Sequence, residues 1–81
     1  MKYTITIFAD NSPGVLYRIA GLLLRKKINI ESLRVEEHNH FEHVSHFTIA
    51  IELDKEQLKK LVSQIERIIE VREVSFAPTL S

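Results

Sequence analysis

The stretch Lys2-Tyr3-Thr4-Ile5-Thr6-Ile7-Phe8-Ala9-Asp10-Asn11-Ser12-Pro13-Gly14-Val15-Leu16 changes period halfway along. From Lys2 to Ala9 the residues alternate. Tyr3, Ile5, Ile7 and Ala9 share one phase, and Lys2, Thr4, Thr6 and Phe8 share the other. Period two with β-branched residues predicts a half-buried strand. Beyond Asp10-Asn11-Ser12-Pro13-Gly14 the spacing becomes helical, with Val15, Leu16, Ile19, Ala20, Leu22 and Leu23 on a stripe that runs to about Lys26. Ser12 suits the N-cap. Pro13 suits the first helical position, where its missing N–H has no intrahelical partner. Leu24 widens the apolar stripe, so this helix is expected to touch more than its own sheet. Gly21 costs about 1 kcal/mol relative to Ala inside a helix, and a close backbone approach to the sheet or to a second helix would explain it.

Downstream, Asn29 to Glu37 reads as a second strand. Ile28 and Ile30 lie in one phase, Leu33 and Val35 in the other, which predicts a bulge or bend. Glu31, Arg34, Glu36 and Glu37 give it the polar character of an edge strand. His38 to His43 reads as a hairpin connection to a third strand, Val44 to Leu53, with Phe47, Ile49, Ile51 and Leu53 on one face. Asp54 and Gln57 have capping-box spacing. The helix after them carries Leu58, Leu61, Val62, Ile65, Ile68 and Ile69 as its stripe. A last strand, Val71 to Ala77, ends near Pro78, and Thr79-Leu80-Ser81 is expected to fray.

The order β-α-β-β-α-β predicts an α+β ferredoxin-like sandwich, an antiparallel four-stranded sheet with two helices on one face. Residues 1–77 form one domain and 78–81 the tail. At 81 residues such a domain buries only about 60% of its unfolded surface, and oligomerisation commonly supplies the missing burial.

Eleven basic residues balance eleven acidic ones, which argues against a nucleic-acid module. The run Arg25-Lys26-Lys27 is read as a helix end, where cations complement the macrodipole, rather than as a binding patch. The absence of cysteine excludes disulfides, thiolate catalysis and Cys-based zinc sites. No apolar run reaches the length of a membrane span, and the default expectation is a cytoplasmic protein. No nucleophile, base and orienting group fall where this fold would unite them, so an enzyme is not expected. The third strand lacks the aromatic, glycine-containing signature of an RNA-binding sheet.

The turn into the first helix is the leading candidate site. A helix N-terminus presents free N–H groups and the positive end of a dipole to a carboxylate. Gly14 leaves room beside the backbone, and Asn11 offers donors and an acceptor to a zwitterion. These residues are equally good turn and capping residues.

The run Asn11-Ser12-Pro13-Gly14-Val15-Leu16, then Arg18-Ile19, Gly21-Leu22 and Asn29-Ile30-Glu31-Ser32-Leu33, resembles the ACT domain of the acetolactate synthase small regulatory subunit, from Met1 to about Phe76. The resemblance implies a regulatory module with no cofactor. It also implies a homodimer formed through second strand and first helix, a catalytic synthase subunit as partner, and a branched-chain amino acid, valine foremost, bound at the dimer interface. Carried over position by position, the ligand residues would be Asn11, Gly14, Val15 and Leu16 from the turn, with Asn29 and Ile30 contributed across the interface. Two positions depart from the family pattern. Lys27 stands where a Gly is usual, and Glu36 where a small residue is common. Many such subunits carry a second domain, so a natural short subunit and a piece of a longer chain both remain open.

His38, His40, His43 and His46 fall within nine residues. Imidazole is the commonest metal ligand, so a nickel- or zinc-responsive ACT-like module built on the His38–His46 hairpin is the competing reading. Their spacing fits no closed zinc motif.

Overall fold

A computed structural model describes residues 1–37 and 43–79. The elements are β1 (Lys2–Asp10), α1 (Pro13–Arg25), β2 (Asn29–Glu37), β3 (Val44–Glu52), α2 (Lys55–Glu66) and β4 (Val71–Pro78). They form one four-stranded sheet in the order β2-β3-β1-β4, with every neighbouring pair antiparallel. This is the ferredoxin-like arrangement expected from the alternating periods.

The phase of β1 sets the layers. Tyr3, Ile5, Ile7 and Ala9 are buried in one cluster with Phe47, Ile49 and Ile51 of β3 and with the inner stripes of both helices. Burying such aliphatic side chains contributes roughly 1.5–3 kcal/mol each. Lys2, Thr4, Thr6 and Phe8 point to the sheet's other face with Thr48 and His46. There Phe8 and His46 stack at a ring separation of 4.7 Å.

The expected irregularity in β2 is present. Its register against β3 shifts between Ile30 and Ser32. The extra residue returns Leu33 and Val35, opposite Ile49 and Phe47, to the helix side that Ile30 already faces. β2 and β4 are the two edges.

Several details differ from the sequence reading. The buried stripe of α1 is Val15, Ile19, Leu22 and Leu23, and Leu16 stays about half exposed because it lies beside that stripe. The stripe of α2 stops at Ile65, since the helix ends at Glu66. Ile69 then falls in the following turn and is 94% exposed. Gly21 meets no close neighbour: a Cβ there would find nothing within 4 Å. Pro78 pairs with Tyr3, and Thr79 is fastened by its N–H to the Lys2 carbonyl at 2.9 Å and by its hydroxyl to Thr4 at 2.7 Å. Among the described residues no helix is long and apolar enough to cross a membrane.

Candidate functional site at the start of the first helix

β1 delivers Asp10 and Asn11 to the end of the sheet, where both are held by neighbouring strands. The Asp10 N–H donates to the Glu70 carbonyl at 2.8 Å, and its carboxylate accepts from Arg72 Nε at 2.6 Å. The Asn11 N–H donates to the His43 carbonyl. The Asn11 side chain faces two ways. Its Nδ2 donates to Glu37 Oε1 at 2.7 Å, and its Oδ1 accepts from the Ser45 hydroxyl at 3.0 Å. Among the described residues no partner takes the second amide hydrogen or the second lone pair of Asn11.

Ser12 occupies the N-cap in an extended conformation, and Pro13 opens α1 as expected, but the Ser12 side chain makes no capping bond. The Val15 N–H bonds back to the Ser12 carbonyl at 3.1 Å. At Gly14, which is half-buried, the only atom among the described residues near a hypothetical Cβ is Ser12 Oγ, 4.0 Å away. No acidic residue lies in the first turn of α1. The positive end of the helix dipole therefore faces this opening without a counter-charge on its own helix. Arg18, one turn on, is paired with Glu70 and ties α1 to the approach to β4.

Asn11, Gly14, Val15 and Leu16 thus come together. Val15 is 2% exposed, so its side chain is core and only its backbone borders the opening. Leu16 presents a half-exposed apolar wall. Asn29 and Ile30 lie elsewhere in the same chain. Asn29 is level with Glu52, which is level with Lys2, the start of β1. Eight steps along β1 separate that row from Asp10, roughly 26 Å at the strand rise.

Sequence reasoning missed Glu37 and Ser45. Glu37 pairs with Ser45, and Ser45 with Ala9, so both lie in the inward phase of their strands. Two polar residues at inward positions of adjacent strands were the available signal. Glu36, singled out instead, pairs with His46 on the opposite face. Lys27 has φ 54°, the left-handed conformation that follows a helix end and favours Gly. That accounts for the glycine usual at this position.

His38 and His40 lie outside the described residues. His43 has φ 66° and closes onto Asn11 through its carbonyl, whereas His46 stacks on Phe8. Among the described residues no group of three His, Asp or Glu side chains is placed to hold a metal ion.

With this geometry in place, comparison with known proteins is informative. The AHAS small subunit-like ACT domain family matches residues 5–73. A probable acetolactate synthase small subunit from Archaeoglobus fulgidus is 40% identical over 75 residues, 93% of this chain and 46% of that protein. The acetolactate synthase small subunit of Aquifex aeolicus is 39% identical over 74 residues, 91% of this chain and 38% of that protein. The crystal structure of the acetolactate synthase small subunit from Thermotoga maritima superposes with a TM-score of 0.82 at 25% identity, covering 93% of this chain and 46% of that one. The chain therefore spans less than half the length of these relatives. The matching span, the identity and the shared fold place the chain in the family of ACT domains of the acetolactate synthase small-subunit type.

Proposed function

We propose that this domain is a regulatory, non-catalytic module that binds a branched-chain amino acid, valine foremost, between two copies of itself and so modulates an acetolactate synthase catalytic subunit. The observation that carries the reading is the room beside Gly14 at the start of α1, next to an Asn11 amide already oriented by Ser45 and Glu37. The ligand carboxylate would take the free N–H groups of the first turn. Its ammonium would lie toward Glu37, and its side chain against Leu16.

The distance between the turn and Asn29 is consistent with a site shared by two chains. β2 is an edge strand with exposed backbone groups, and two-fold antiparallel pairing is how such an edge meets its own copy. That pairing sets the Asn29 end of one copy beside the Glu37 end of the other. Leu33 and Val35 of β2, 40% and 42% exposed, and Leu16 of α1, 42% exposed, are the apolar surface such a dimer would cover.

Isothermal titration of the protein with valine, leucine and isoleucine tests the reading. Valine is expected to give saturable heat that Gly14→Leu abolishes. Discrimination against isoleucine should be modest, since one methylene is worth only about 1–3 kcal/mol. No heat with any of the three at millimolar ligand contradicts it.

A further inference from the structure

The helix layer carries a second surface that the turn and the β2 edge do not use. Between α1 and α2 runs an open groove of about 720 Å³, lined among others by Tyr17, Gly21 and Leu24 of α1 and by Gln64, Arg67 and Ile68 at the end of α2. Tyr17 is 82% exposed and Leu24 73%. Gly21 sits between them, and nothing among the described residues uses the close approach that this glycine permits.

The groove continues into a basic surface. Arg25 borders both the groove and a neighbouring depression that contains Lys26 and Lys60. Arg67 borders both the groove and a second depression lined by Lys26, Lys59 and Lys60. No carboxylate lines any of the three. The ion pairs among the described residues join Lys2 to Glu31, Arg18 to Glu70 and Arg72 to Asp10. Arg25, Lys26, Lys59, Lys60 and Arg67 take part in none of them. The run at the end of α1 is therefore a helix end and also one side of a larger cationic rim.

We propose that this groove docks an amphipathic helix of another protein, with its apolar face on Tyr17, Gly21 and Leu24 and its carboxylates on the surrounding rim. An apolar floor edged by unpaired cations selects an acidic helix by charge complementarity. The apolar contact and an aromatic anchor hold it, while the charges set orientation and speed of encounter. The thirteen residues of α1 span about 20 Å, enough to seat three to four helical turns. Gly21 lets the guest backbone approach closely. A bare polyanion would use the cations but not the floor. The proposal goes beyond the amino-acid reading and holds whether or not valine binds.

The test uses two synthetic 18-residue helices that share one leucine stripe, one with glutamates and one with lysines on the other faces. Each is titrated into the isotopically labelled protein, with and without valine. The glutamate helix should shift amides along Tyr17–Arg25 and Gln57–Ile68, with binding that weakens as salt rises. Tenfold or greater loss is expected in Lys60→Glu/Arg67→Glu and in Gly21→Leu, whose side chain enters the groove where no described atom lies within 4 Å of the Cβ. Lys60→Glu/Arg67→Glu should keep the wild-type denaturation midpoint, and Gly21→Leu should raise it, since leucine favours the helix over glycine. Failure of the glutamate helix to bind, or equal binding of the lysine helix, overturns the proposal. So does a 20-nucleotide single-stranded DNA that shifts the same amides and is indifferent to Tyr17→Ala. Loss of valine binding alone would contradict the amino-acid reading and leave this one standing.

Discussion

The two helices of this domain begin differently. At α2 the Asp54 carboxylate accepts from the Gln57 N–H at 2.8 Å, and the Gln57 side chain returns to the Asp54 N–H at 3.1 Å. Two groups are satisfied reciprocally, and Glu56 adds a negative charge in the first turn. At α1 the N-cap serine makes no side-chain bond, proline takes the first position, and the first turn holds no acid. The described acids nearest this start, Asp10, Glu37 and Glu70, are turned to Arg72, Asn11 and Arg18. One helix start is closed by its own side chains, and the other has neither a side-chain cap nor an acid in its first turn. The family supplies a candidate for that place, an amino acid whose carboxylate does what Asp54 does at α2.

Substitutions can break the contrast at graded cost. The largest effect is expected from Asn11→Ala. It removes the bonds to Glu37 and Ser45 and leaves the Ser45 hydroxyl, on a residue 4% exposed, without its acceptor. A loss of about 1–3 kcal/mol in chemical denaturation follows. Asp54→Ala opens the closed start and should cost about 1 kcal/mol in the same measurement. At the other end of α1, Lys27→Gly removes the left-handed strain of a side-chain-bearing residue at φ 54°. It should stabilise by slightly under 1 kcal/mol, as a rise in denaturation midpoint. The smallest effect belongs to Ser12→Ala, a few tenths of a kcal/mol, because no capping bond is lost. A Ser12→Ala loss as large as that of Asp54→Ala would erase the distinction between the two starts.

Much of this was legible in the residues. Period two in β1 and β3 placed the core, the phase change in β2 placed its bulge, and the Asp54–Gln57 spacing placed the start of α2. Other features were not. Ile69 continues the spacing of Ile65, and no Gly or Pro marks the end of α2, so periodicity alone carries the helix too far. Glu37 was read as an edge-strand charge because its inward phase depends on the register shift at Ile30 and Ser32. Gly21 signalled a close approach, but nothing among the described residues comes within 4 Å of where its Cβ would stand. In the proposed ligand site, Asn11 and Asn29 stand at opposite ends of one sheet, and only a second copy can bring them together.

The central claim is that the open start of α1 is one half of a site completed by the Asn29 end of another chain. Backbone amide spectra recorded as valine is added test it most directly. The account predicts that Gly14, Val15 and Leu16 shift together with Asn29 and Ile30 along one saturation curve, while Lys55 to Gln57 at the closed start stay in place. Shifts confined to the turn, or none at either end of the sheet, would contradict it.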